Sequence, residues 1–365
     1  MNISKTKVEF ELLFGGNTNV PNILIFTEHV NATYYISFDI PLKVMYENGE
    51  VNFAVLSQNF VAEKGLEKLD LWNGEFLPSL VIMTRYALPF GREILDFFRS
   101  KSIPVIYHID DDLLYIPESL GEEIQKRQGA SEVIESRTYL LQNCDLIYAS
   151  TEHLSNVLET RFPHQKVYFG IYATFREGLV KGPKPSSDSV IIGYMGSKGH
   201  QNDLALVEDA LVRLMNEIPN LRFEVFGTIK MPEKLEQFDG RVKSHRVNKN
   251  YFEFVEYLAN LNWDLGLAPL ENVDFNHCKA PTKYIEYTST GIPVAATDIA
   301  LYRNAAIEKG ICLVRHENWY HELRRLIENP QLREDLVHIA QSHCAQKFSK
   351  KILVAQLRSL ISCEL

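Results

Sequence analysis

The stretch CKAPTKYIEYTSTGIPVAAT, residues 278–297, holds a helix start, a helix stop and a strand in succession. Pro281 suits the first turn of a helix, where its missing N–H costs nothing, and Gly291 suits the position just past the helix end. IPVAAT then reads as a short buried strand. Lys283 and Glu286 stand three apart, so they share one helix face, with Lys279 just ahead of them.

The same alternation extends along the chain and makes it α/β with parallel sheets. Upstream strand candidates are NILIFT (22–27), VNFAVL (51–56), SLVIMT (79–84), IPVIYHI (103–109), CDLIYAS (144–150) and KVYF (166–169). After a polar run at 176–189, rich in Gly, Pro, Ser and Lys, strands resume at SVIIGYMGS (189–197), RFEVFG (222–227), VKSHRV (242–247), DLGLAPL (264–270), IPVAAT (292–297) and GICLV (310–314). This predicts a domain over 1–175, a linker over 176–189 and a second domain over 190–349. Residues 331–344 and 352–361 read as amphipathic helices, and the last of them can cap the second domain or return to the first.

Bulk properties narrow the function. A chain of 365 residues exceeds one ordinary core, and 45% hydrophobic content excludes global disorder. The formal net charge of −9 argues against a general nucleic-acid binder, so any anion site is local. The five cysteines lack zinc-ligand spacing and suit a reducing cytoplasm. No run of about 18 apolar residues occurs, and the first residues lack a signal-type apolar core.

In open parallel sheets ligands bind beyond the carboxyl ends of the strands. Four loops there carry reactive side chains. GYMGSKGHQND (193–203) is Gly-rich and precedes a helix with Leu204, Val207, Ala210, Leu211 and Leu214 on its apolar face and Asn202 or Asp203 as N-cap. Amides near Gly196 can hold phosphate oxygens, with Ser197 adding a hydroxyl and Lys198 a charge, although an ordinary βα loop has the same look. In the opening stretch, Glu286 can reach ribose hydroxyls while a lysine meets phosphate. A solvated ion pair is the simpler reading of that spacing. HIDDDLLYIP (108–117) concentrates Asp110, Asp111 and Asp112 at a strand end, for a general base, sugar hydroxyls or a metal, or as the acidic first turn of a helix. FTEHVNATYY (26–35) offers Glu28 and His29, as base or hydroxyl-binding groups or as structural ones.

The motifs IGYMGS with His200 and Asp203, FEVFG, WDLGLAPL, and FN-CK-x3-K-x2-EY-x3-GIPVAATDIALY resemble glycosyltransferases of the GT-B architecture, specifically family 4 and its relatives in bacterial surface-polysaccharide synthesis. LVIMTRYALPFGREILDFFRSKSIPVIYHIDDDL is similar to the segment before the cleft in such enzymes, so the likeness covers most of residues 79–345. The resemblance implies two Rossmann-like domains with a cleft between them and hexosyl transfer from a nucleotide-diphosphate sugar to a glycan or lipid-linked acceptor. It places Glu286 on the ribose, Lys283 and Lys279 at the diphosphate, the Gly196-Ser197 turn beside the phosphates, and Glu28, His29 and Asp110 to Asp112 on the acceptor side. It also implies no metal, no cofactor beyond the donor, retention of configuration, and a cytoplasmic place, free or peripheral at the inner face of the membrane, with assembly among other polysaccharide enzymes open. The chain departs from the family where a first glutamate, separated from the second by seven intervening residues, is expected: Cys278 stands there, with Lys279 and Asn276 beside it. That departure keeps two alternatives open, a nucleotide-sugar epimerase or hydrolase on the same scaffold and a non-catalytic subunit of a partner transferase.

Overall fold

A computed structural model describes residues 10–173, 175–179, 189–246 and 250–364. The linker expected at 176–189 lies largely outside the described residues, as does Val247 at the end of one expected strand. The chain divides into two units, one made of Met1–Ile116, Lys126–Tyr172 and Lys351–Leu365, the other of Pro117–Gln125 and Ala173–Lys350. The sequence gives no sign of the excursion at Pro117–Gln125, which no composition change marks.

The first unit holds β1 (Leu12–Phe14), β2 (Asn22–Thr27), β3 (Asn52–Ser57), β4 (Leu80–Thr84), β5 (Val105–Ile109), β6 (Leu146–Ala149) and β7 (Val167–Phe169) in one sheet of order β1-β3-β2-β4-β5-β6-β7. Every pairing is parallel except β1 with β3. β1, which was not expected from sequence, is an edge strand too short to show periodicity. β3, β4 and β5 are buried along their whole length, which is why they read as unbroken apolar runs rather than alternating ones. The Lys350–Glu364 helix adds Val354, Leu357, Leu360 and Ile361 to the core formed by Ile23, Ile25, Phe53 and Val55.

The second unit holds β8 (Val190–Gly196), β9 (Leu221–Gly227), β10 (Val242–His245), β11 (Leu265–Ala268), β12 (Val294–Thr297) and β13 (Cys312–Val314), ordered β10-β9-β8-β11-β12-β13 and parallel throughout. Among the parallel strands of each sheet the order reverses once, between β2 and β4 in the first and between β8 and β11 in the second, which are the positions where doubly wound sheets take ligands. The Gln201–Glu217 helix buries Leu204, Val207, Leu211 and Leu214. It starts at Gln201 rather than after Asn202 or Asp203, because the Lys198–His200 turn runs straight into it and Asp203 is used for another bond. The Thr282–Ser289 helix ends as expected: Gly291 has φ +68, its N–H donates to Thr288 O (3.0 Å), and Ile292 N–H donates to Tyr287 O (2.8 Å), a Schellman closure.

Gly193 is fixed by close packing rather than by a turn. A Cβ there would stand 1.8 Å from the indole of Trp263, whose Nε1–H donates to Glu224 (2.8 Å) and so cannot swing away. Gly193→Ala is expected to cost about 1–3 kcal/mol of overpacking strain, measured as a lower urea midpoint with unchanged slope.

Candidate functional site

In the second unit the turn after β8 is locked from below. Gly196 O accepts from Thr228 N–H and Ile229 N–H, both at 3.1 Å. Gly227, at φ +111, passes so near that a Cβ would lie 2.4 Å from Gly196 O. Two further amides of this turn are engaged within the protein, Lys198 N–H on Thr228 Oγ1 (3.2 Å) and His200 N–H on Ser197 O (3.1 Å). Ser197 is exposed. Lys198 is 64% exposed, and its Nζ lies 3.7 Å from Glu123 of the Pro117–Gln125 segment. That segment also lays Leu120 and Ile124 over Gly199, where a Cβ would stand 3.0 Å from Ile124 Cδ1.

Beyond the turn, His200 Nδ1 lies 2.7 Å from Asp203 Oδ2, and Asp203 Oδ1 accepts from Glu271 N–H (2.9 Å). Burial disfavours the Asp203 carboxylate, but the bonds from His200 and Glu271 outweigh it and its pKa is lowered. The positive charge of Lys283, then burial, push His200 down to about 4 against the pull of Asp203. His200 is therefore neutral near pH 7. An ionised Asp203 fixes the Nδ1–H tautomer, which leaves Nε2 as a hydrogen-bond acceptor.

The Thr282–Ser289 helix brings Lys283 and Glu286 to the same place. Lys283 is half-buried with Nζ 5.5 Å from the Tyr194 ring centre, and burial together with nearby Lys279 lowers its pKa to about 8. Glu286 is only 7% exposed, and burial raises its pKa to about 7 against a hydrogen bond from Tyr251 and the charge of Lys283. A solvated surface pair would show neither effect, so that simpler reading fails on burial. Lys279 lies with Nζ 5.0 Å from the Phe275 ring centre, Asn276 donates to Glu271 O (3.0 Å), and Cys278 is buried. The cluster is thus His200, Asp203, Lys279, Lys283 and Glu286, with Lys198 standing apart. Asp203 and Tyr251 were missing from the expected site. The H-x-x-D spacing of His200 and Asp203 was the available signal for the first.

In the first unit the expected acidic groups divide by exposure. Glu28 is 5% exposed, with Oε2 accepting from Arg85 Nε (3.1 Å) and Oε1 from Gln128. Asp110 is 4% exposed and accepts from Arg85 Nη1 (2.8 Å) and Thr33 Oγ1 (2.9 Å). Asp112 is held by two bonds from Arg161, at 2.5 and 2.7 Å. Asp111 and His29 keep 26% and 35% of their side chains in solvent. No helix begins at the aspartates, so the capping alternative is set aside: β5 gives way to turn residues there. Among the described residues no three His, Cys, Asp or Glu side chains are placed to hold a metal ion. Arg85 and Arg161 were missed, although Thr84-Arg85 ends β4 as Thr27-Glu28 ends β2.

No protein-family model matches the chain, and no curated protein matches it in sequence. Solved structures share its fold. HepE of Anabaena, in complex with UDP-glucose, matches 94% of this chain and 99% of its own at 13% identity and TM-score 0.65. S. aureus MnaA, solved with UDP, matches 94% and 96% at 13% identity and TM-score 0.55. The pneumococcal O-GlcNAc transferase GtfA, in complex with UDP and GlcNAc, matches 84% of this chain at 12% identity and TM-score 0.58, and the chain spans 60% of GtfA. Likeness at this identity establishes the two-Rossmann, GT-B type of fold. No helix among the described residues is long and apolar enough to cross a membrane.

The raised Glu286 pKa has a consequence for stability. A carboxyl at about 7 in the fold and 4.5 unfolded contributes fully below 4.5 and loses that contribution as pH rises through 7. At pH 8 its ionised form therefore destabilises the ligand-free protein by roughly 3 kcal/mol. Glu286→Gln is expected to raise Tm at pH 8, with the gain shrinking steadily as pH falls to 5. A gain equal at both pH values in differential scanning calorimetry contradicts this.

Proposed function

We propose that the chain is a glycosyltransferase that moves a sugar from a UDP-sugar to a glycan or lipid-linked glycan acceptor in surface-polysaccharide synthesis. The observation that carries this reading is the half-buried Lys283 standing with the buried Glu286 at the carboxyl edge of a doubly wound sheet, beside a neutral His200. Charges kept there at a cost to stability point to a ligand with matching charges. The uridine diphosphate bound in HepE, MnaA and GtfA supports the choice of nucleotide.

Lys283 and Lys279 meet the diphosphate, whose charge restores the protonated form of Lys283. Glu286, ionised, accepts from the ribose hydroxyls, and His200 Nε2 accepts a hydroxyl of the sugar. As the glycosidic bond breaks, negative charge grows on the leaving diphosphate, and these fixed cations stabilise it. Transfer then needs no metal and proceeds with retention. On the acceptor side the partly exposed Asp111 and His29 meet substrate, while Glu28, Asp110 and Asp112 support them. Cys278, buried where the family pattern has a glutamate, favours a second reading in which the chain binds donor as the non-catalytic member of a pair. GtfA is itself also known in a GtfA/B complex.

Lys283→Ala and Glu286→Ala are each expected to weaken UDP binding at least tenfold, about 1.4 kcal/mol, in calorimetry, with folding intact. Unchanged affinity rejects the assignment. Mass-detected transfer from UDP-glucose or UDP-GlcNAc is expected to persist in EDTA, and turnover that collapses on chelation and returns with manganese overturns metal independence. UDP binding without transfer to any acceptor supports the non-catalytic reading.

A further inference from the structure

Three neighbouring strands deliver one charged row. Thr27 pairs with Thr84, and Thr84 with His108, so the first residues beyond β2 and β4 are Glu28 and Arg85, side by side, with Asp110 and Asp111 just past β5. Arg85 bonds all three acids: Nε to Glu28 (3.1 Å), Nη1 to Asp110 (2.8 Å) and Nη1 to Asp111 (3.4 Å). Its own side chain is 16% exposed. Its backbone sits at φ +53, a left-handed conformation uncommon for a branch-free cation, and is held there by Arg85 N–H donating to His108 O (2.9 Å). Glu28 is tied from its other oxygen to Gln128, which itself accepts from the buried Arg137.

Carboxylates brought together repel one another, and a cation among them offsets that repulsion. Divalent metals do this in many sites. Here a guanidinium does it, and its planar fork meets acids from two strand ends through separate nitrogens, where an ammonium offers a single one. We propose that Arg85 is the positioning residue of the first unit, a built-in cation that takes the place of a metal ion and holds the Asp111 carboxyl aimed at the acceptor hydroxyl. Glu28 and Asp110 serve as its anchors. The role of Asp111 rests on the transferase reading, whereas the cation role stands on the bonds alone.

The test uses the full chain with Arg85→Ala and Arg85→Lys. Arg85→Ala is expected to lower transfer kcat about 100-fold or more while UDP affinity, which belongs to the second unit, stays within about twofold. Millimolar methylguanidinium is expected to restore at least about a tenth of the lost rate, and Arg85→Lys to recover far less than the wild type. A folded Arg85→Ala protein that keeps its rate, or loses it without guanidinium rescue, overturns the proposal. If Arg85→Ala fails to fold, Arg85→Lys decides: wild-type turnover overturns the proposal, and a large loss at unchanged Tm and UDP affinity supports it. An arm independent of transfer is thermal shift with manganese, which is expected to stabilise the charge-deficient Arg85 variant that folds, Arg85→Ala or otherwise Arg85→Leu, and not the wild type; equal shifts overturn the proposal. A wild type that binds no UDP sinks the transferase reading and leaves this arm to judge the cation.

Discussion

The constraint on which the second unit turns is electrostatic. Lys283 and Glu286 are charged groups withdrawn from water, and burial pulls each toward its neutral form, Lys283 down to about 8 and Glu286 up to about 7. A scaffold keeps such groups only if the backbone around them is rigid, since a loose site would relax and rehydrate. The rigidity is visible in the Tyr287 hydroxyl, which accepts from Met195 N–H (2.8 Å) and donates to Leu267 O (3.2 Å), tying the helix of the site to both strands at the switch point. Gly266 leaves room for that ring, since a Cβ there would lie 2.9 Å from it.

The two units solve the problem of clustered charge differently. In the second, His200 and Glu271 N–H hold the two oxygens of Asp203, and Tyr251 bonds Glu286 near Lys283. In the first, Arg85 and Arg161 bond most of the acidic oxygens, and Asp111 and His29 keep part of their side chains in solvent.

Much of this was legible in the residues. Buried parallel strands announce themselves as apolar runs of β-branched residues, and NILIFT coincides with β2 end to end. Gly291 marked a helix end because few other residues accept its backbone angles. The pairing partners were not legible, because Arg85 meets Glu28 and Asp110 only after separate strands come into register, and no local period encodes that. The bond between Asp203 and Glu271 N–H spans 68 residues for the same reason. Burial was equally hidden: the i,i+3 spacing of Lys283 and Glu286 is identical on a wet helix and a dry one.

The Lys350–Glu364 helix belongs to the first unit although the whole second unit precedes it in the chain. Val354, Leu357, Leu360 and Ile361 complete a core that begins with Ile23. On the ribosome, the amino-terminal sheet therefore emerges with one flank bare and stays so until residue 361 has cleared the exit tunnel. Maturation runs against the direction of synthesis: the later-made unit can close first, and the earlier-made one waits for it, exposed meanwhile to chaperones.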